Sequence, residues 1–372
     1  MENLKLPSYV KVVFLLIGIF LLATILSIAQ DIIVPFIFAS IIAIAISPVV
    51  DFMVRKKINR TVSITIVLLA ILLILSGMIV FLALRVDLLI DALPDLTKKF
   101  QLIVKEITAW VAHNLHISNW KVNNWLNNSQ DDMLKDSNMV IGSTLTTMSG
   151  ILSAIFLTPV YIFMLLYYQS HLVQFAHKAF GTHNNTRVNE LLSETKVIVQ
   201  SYLTGLGIQS IILAVLNSVG LLLIGIEYAI LLGVLGALLN LIPYVGGMVG
   251  VVIIMLIALV TKAPIYVVYV GVMYSVIQAI DNNIIVPYII GSKVKLNGLF
   301  SFLAVIVGAA LWGIAGMFLS IPLLAIVKLV CDRVESLKPY GFLLGDIETV
   351  STRTKPAFNV REFMKRFRSG KP

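Results

Sequence analysis

One stretch of this chain brings together residue types that can do chemistry in an otherwise apolar setting. It reads Gln278-Ala279-Ile280-Asp281-Asn282-Asn283-Ile284-Ile285-Val286-Pro287, and Asp281 is the only charged residue between 263 and 292. Gln278 and Asn282 stand four apart, so on a helix they form one polar face with Asp281 beside it. An ionised Asp at the centre of a bilayer costs about 3 kcal/mol or more unless it is solvated or paired, which makes an intramembrane acid a candidate functional group. Such a carboxyl can alternate between a proton and a cation, or it can anchor a hydrogen-bonding solute. The simpler structural alternative is that Asp281 caps a helix or orders the Asn pair. No Lys or Arg shares its apolar segment; Lys262, Lys293 and Lys295 flank it.

Two further polar breaks fall in apolar runs. Segment 228–261 is interrupted by Asn240-Leu241-Ile242-Pro243-Tyr244-Val245-Gly246-Gly247, and segment 296–327 by Trp312-Gly313-Ile314-Ala315-Gly316 and again at Pro322. Each segment is long for one upright helix, and each is expected to be two helical pieces joined by unwound backbone. Paired Gly/Pro-interrupted segments point to a transporter site built from discontinuous helices, because non-helical backbone survives at membrane depth only where protein or water satisfies it. Gly246, Gly247, Gly313, Gly316 and Pro322 are the expected hinge or break positions. The two segments echo one another: Gly236-Ala237-x-Leu239-x-x-Ile242 recurs as Gly308-Ala309-x-Leu311-x-x-Ile314. In the preceding apolar run, Gln209 and Asn217 stand eight apart, on roughly one helical face.

The elements that must position these residues are membrane helices. Of 372 residues, 59% are apolar and 13% charged, and seven segments, 12–30, 32–50, 61–84, 137–177, 197–226, 228–261 and 296–327, carry no Asp, Glu, Lys or Arg. About 20 apolar residues span about 30 Å of hydrocarbon at 1.5 Å each. The expected fold is therefore an all-α polytopic membrane protein of about eight transmembrane helices, two of its hydrophobic segments broken or re-entrant. The first run ends in Ser27-Ile28-Ala29, like a signal-peptide cleavage site, but it is long enough to span and is followed at once by a second run. The pair reads as a tight hairpin.

Arg55, Lys56, Lys57 and Arg60 crowd the loop after the second span and place that loop in the cytoplasm. Both termini then lie inside. The expected organisation is three helices in 1–84, an extracytoplasmic helical segment in 85–138, a fourth span in 139–169 kinked at Pro159, and a cytoplasmic connection in 170–200. A C-terminal core follows in 201–330, then a basic tail in 331–372. In the outer segment, Leu89, Leu93, Leu96, Phe100, Ile103, Ile107 and Trp110 alternate spacings of four and three. That stripe suits a surface-lying helix or a contact between subunits. In the tail, Val360, Phe363, Met364 and Phe367 would share a face beside seven cations from Arg353 to Lys371, a pattern that suits anionic lipid.

Several function classes are disfavoured. The net charge of +9 comes from basic residues beside spans rather than from a nucleic-acid surface. A single cysteine, Cys331, excludes an intramolecular disulfide and Cys-based metal centres. His171, His177 and His183 recur every six residues and so do not share a helical face, which makes them solvated histidines rather than metal ligands. There is no His-Glu-x-x-His pair, no Gly-x-Ser-x-Gly elbow, no second intramembrane acid for an aspartyl dyad and no phosphate loop. No enzyme activity, cofactor or metal is expected, and transport would have to be secondary.

Three ordered motifs, Asn240 to Gly247, Gln278 to Pro287 followed by Gly291, and Gly308 to Pro322, resemble those of the autoinducer-2 exporter family, also called PerM-type permeases. Asn297-Gly298 departs from the His-Pro-like pair common there. The resemblance implies a bacterial inner-membrane transporter, associated with export of a furanone-derived quorum signal or, for some similar proteins, with exchange of sodium or lithium for protons. It also implies a homo-oligomer, a pentamer among the assemblies it admits, which would suit the 89–110 stripe. In the exporter reading, Asn240, Gln278, Asn282 and Asn283 bind a small polar solute against Trp312, near Pro243. In the antiporter reading, Asp281 alternates between Na+ and H+. A third reading, a non-transporting scaffold, requires none of these polar residues.

Overall fold

The computed structural model describes residues 7–115, 154–179, 185–289 and 296–346. The rest of the outer segment, the first part of the fourth apolar run, His183, Gly291, Lys293, Lys295 and the basic tail lie outside these residues. Among the described residues the secondary structure is helical: α1 (Ser8–Ile28), α2 (Gln30–Arg55), α3 (Arg60–Leu115), α4 (Ala154–Tyr167), α5 (Gln169–Ala179), α6 (Asn185–Ile224), α7 (Ala229–Leu239), α8 (Val245–Thr261), α9 (Ile265–Ile280), α10 (Val286–Ile289), α11 (Gly298–Arg333) and α12 (Lys338–Leu344). Six helices are long and apolar enough to cross a membrane, and the α4–α5 pair, bent by 66°, is a seventh candidate. The chain is a polytopic membrane protein.

Three details differ from the sequence expectations. The described part of the outer segment, 85–115, is not a separate element: α3 is one helix of 56 residues, about 84 Å at 1.5 Å per residue, and it runs on through Pro94. The apolar stripe is thus an extension of the third span. The bend after the fourth run falls at Tyr168 rather than at Pro159, through which α4 continues. Arg60 explains the bend. Its guanidinium donates to the Leu166 carbonyl from Nε (3.0 Å) and Nη2 (2.7 Å), and Nη2 also donates to Gln169 Oε1 (2.6 Å), so a cation satisfies the end of α4 and the start of α5 together. Pro322 does not break its helix; it is buried inside a continuous stretch of α11.

The interruption in α11 is at Trp312 (φ −138°, ψ 21°) and Gly313 (φ 57°, ψ −136°). The positive φ requires a residue without a Cβ penalty. The helix folds back there. Ser320 Oγ donates to the Ala304 carbonyl at 2.9 Å, although sixteen residues along a straight helix would separate them by about 24 Å. Gly308 and Gly316 meet so closely that a Cβ on Gly316 would fall on the Gly308 carbonyl. Residues 298–311 and 314–333 are therefore the two arms of a hairpin. The α7–α8 pair is built alike, with Gly250 against Gly236 and a turn at 240–244, where Tyr244 also takes positive φ (64°). The repeated Gly-Ala-x-Leu marks the same part of each hairpin, the close-packed end of its first arm.

The long α6 shows how the hairpins lie. At its N-terminal end, Glu190 and Glu194 bind Arg333, at the base of the α11 hairpin, and Val199 and Leu203 then pack with Leu319 and Trp312. At its C-terminal end, Leu221 packs with Ile226, Ala229 and Ala258, at the base of the α7–α8 hairpin. The hairpins thus enter from opposite ends of α6; with α11 a hairpin, the described long spans are α1, α2, α3, α6 and α9–α10, the bent α4–α5 pair is a sixth candidate, and two opposed hairpins complete the eight expected membrane elements.

Replacing Gly316 with Ala should lower the apparent melting temperature in detergent, with an overpacking cost of about 1–3 kcal/mol. Gly18→Ala and Gly77→Ala, where nothing stands within 4 Å, should be close to neutral and serve as controls.

Candidate functional site

Asp281 lies where the two hairpins approach each other. At this point the helix widens: Asp281–Ile285 form a π-helical turn between α9 and α10. Pro287 supplies a local cause, since it has no N–H to give to the carbonyl one turn back and its ring crowds that turn. π-Bulges inside helices recur at functional sites.

The Asp281 carboxylate is 1% exposed. Gln209 on α6 donates from Nε2 to both of its oxygens at 2.9 Å, and Asn240, at the end of α7, donates from Nδ2 to Oδ2 at 3.3 Å. These neutral amides satisfy the oxygens without cancelling the charge. Beside the carboxylate is a cavity of about 670 Å³ lined by Tyr202, Leu206 and Gln209 of α6, the 240–248 hairpin turn, Tyr274, Gln278, Asp281 and Asn282, and Ile321 of the second hairpin. No Lys, Arg or His is among its lining residues.

Gly247 sets how closely this wall can pack. A Cβ there would stand 2.9 Å from Asn240 Oδ1, 3.1 Å from the Tyr274 hydroxyl and 3.5 Å from Gln278 Oε1. The bare backbone lets Tyr274 donate to the Gly247 carbonyl at 2.8 Å, tying α9 to the hairpin turn. Gln278 Nε2 in turn donates to Asn282 Oδ1 at 3.4 Å.

Of the residues singled out in the sequence, Asn240, Pro243, Gly247, Gln278, Asp281 and Asn282 come together around this cavity. Gly246 is the tight inner corner of the turn, where a Cβ would strike the Leu239 carbonyl. Asn283 turns away and bonds the Ala279 carbonyl of its own helix at 2.8 Å. Trp312 is not a cavity wall: its indole donates to the Leu26 carbonyl of α1 at 3.0 Å and its ring packs with Leu319 and Val199. Gly313 and Gly316 shape the second hairpin away from the cavity. Neither Tyr202 nor Tyr274 stands out in the sequence, because an aromatic residue in an apolar span carries no polar signal. Gln209 does stand out as a polar residue in a charge-free run, but its pairing with a residue 72 positions away is not readable from spacing.

Among the described residues, no group of three or more His, Cys, Asp or Glu side chains could hold a metal ion.

Gln209→Leu should destabilise the protein by about 2 kcal/mol, the usual worth of a hydrogen bond to a charged group, read as a fall in melting temperature. Gly247→Ala should lower the melting temperature, because the Asn240 amide and the Tyr274 hydroxyl must shift to admit the methyl group.

The sequence profile of the AI-2E family transporter matches residues 11–336. YhhT of Escherichia coli (strain K12) is 26% identical over 324 residues, covering 85% of this chain and 89% of its own. YueF of Bacillus subtilis (strain 168) is 24% identical over 338 residues, 86% of this chain and 90% of its own. Both are named as candidate transport proteins. The AI-2 transport protein TqsA of Escherichia coli (strain K12) is 26% identical over 323 residues, 86% of this chain and 91% of its own.

Proposed function

Because the chain belongs to the AI-2E transporter family, we propose that it is a secondary transporter exporting a small polar, hydroxylated solute, with Asp281 as the group that couples movement to an ion gradient. The observation that carries this reading is the cavity of about 670 Å³ between the hairpin turn and the π-helical turn, with a buried carboxylate held in its wall by neutral amides. Asn240, Gln278 and Asn282 offer donors and acceptors to hydroxyl groups, and Tyr202 and Tyr274 offer flat apolar faces. The name of TqsA makes the autoinducer-2 signal the first cargo to try. Six crossings would return the C-terminus to the side of the N-terminus. With the Arg55–Arg60 cluster inside, both termini are cytoplasmic, in a bacterial inner membrane. The extension of α3 beyond the span would carry the self-association through its 89–110 stripe.

Exchange of sodium or lithium for protons is a second reading, favoured by one feature. Both Asp281 oxygens are held by amides and neither by a cationic side chain, so no charge of the protein's own competes with a mobile proton or cation there. A scaffold role would leave this buried polar cluster without a purpose.

In proteoliposomes loaded with the furanone signal, an imposed proton or sodium gradient should accelerate efflux, and Asp281→Asn should abolish the acceleration. Gln278→Leu with Asn282→Leu should cut solute efflux at least tenfold and spare any sodium-proton exchange, read with a dye that senses internal pH. Loss of exchange only, with no solute movement in the unmodified protein, would replace the exporter reading with the antiporter.

A further inference from the structure

Eight residues beyond Gln209 on α6, about 12 Å along the axis, stands Asn217. It is 3% exposed, and its Oδ1 has no hydrogen-bond partner among the described residues. Its surroundings explain why it finds none. On one side is the apolar cluster of Leu213, Ala237, Ile277 and Ile285, and on the other that of Leu221, Leu232, Ile254 and Val270. The amide faces α7, with Nδ2 3.8 Å from where a Cβ on Gly236 would stand. On the facing seam Gly233 stands against Ser218 and Gly236 close to Asn217, so the α6 and α7 backbones approach tightly there, with Leu213–Ala237 and Leu221–Leu232 packed on either side.

An orphaned buried acceptor is destabilising, and in a packed interface it needs an explanation. Leu or Met would fill the space without that penalty. We infer that Asn217 is a second polar station on the translocation route, reached when the α7 arm separates from α6 along the glycine seam and the Leu213–Ala237–Ile277 plug parts. Its oxygen then accepts from a permeant that brings its own water or hydroxyl groups. The route runs from Asp281 toward the base of the α7–α8 hairpin, and the plug keeps the two stations from being wet together. The inference rests on the proposed transport function only for its cargo; the wetting of the seam is a separate matter and can be read without any cargo.

Cys331 is the sole cysteine, so Cys331→Ser gives a thiol-free background. In that background Asn217→Cys and Ile64→Cys, which replace residues buried to within a few percent of each other in separate clusters, are treated in proteoliposomes with a small cationic thiosulfonate reagent. Modification at 217 at least tenfold faster than at 64 is expected; equal rates would overturn the inference. Asn217→Leu should raise the melting temperature and slow transport at least fivefold, measured with the furanone signal and with sodium, whichever the unmodified protein moves. A lower melting temperature would show that the amide has a structural partner, and unchanged transport would show that it is off the route; either overturns the inference. If neither cargo moves even in the unmodified protein, the proposed function fails while the labelling rates still decide the station.

Discussion

A carboxylate inside a membrane bundle is expensive unless something answers its charge, and in this protein the answer comes from two amides on two different elements. Gln209 belongs to the long α6, and Asn240 to the turn of a hairpin that enters from the far end of that helix. The bonds to Asp281 therefore tie together α6, α9 and the α7–α8 hairpin. Other features serve this junction. The π-helical turn carries the aspartate, Gly247 leaves room for the amides and Tyr274 fastens the turn to α9. The second hairpin closes the cavity from the opposite end through Ile321.

The opposed hairpins give this junction its capacity to change. A continuous helix crossing the membrane satisfies its own backbone and has little reason to move. A hairpin that ends inside the protein holds its place through contacts at its turn. In the first hairpin those contacts include the Asn240 bond to the carboxylate, so the occupant of the site bears directly on what holds the turn. A ligand bound at Asp281 would then be coupled to the position of the hairpin. The close glycine contacts Gly236–Gly250 and Gly308–Gly316 let each hairpin hold its own shape while its neighbours shift.

Much of this was legible in the sequence, for physical reasons. Charge-free runs mark spans because charges are costly in hydrocarbon, and Asp281 stood out on the same ground. The breaks at Asn240–Gly247 and Trp312–Gly313 were visible because polar and glycine residues cluster there inside otherwise apolar runs. The repeated Gly-Ala-x-Leu was visible as an echo between the two broken segments and is the close-packed end of each hairpin's first arm. What sequence could not give was pairing at a distance. It set Trp312 beside the solute because a tryptophan next to a broken helix suits a binding wall, whereas the indole is used to hold α1. It read Arg60 only as an orienting charge, whereas its guanidinium also secures the bend at Tyr168. Pro159 looked like a kink, yet α4 runs through it as one helix, since a proline costs a helix one bond and a clash that tertiary packing can absorb.

Gln209, bonded to both oxygens of Asp281, should act through that carboxylate, the two forming one site. A double-mutant cycle in transport rate tests it most directly. Gln209→Leu and Asp281→Asn are measured singly and together in proteoliposomes, with folding checked by melting temperature. Each single change should cost at least tenfold, and the double variant should be no slower than Asp281→Asn alone. Losses that multiply would contradict this, showing two residues that act independently.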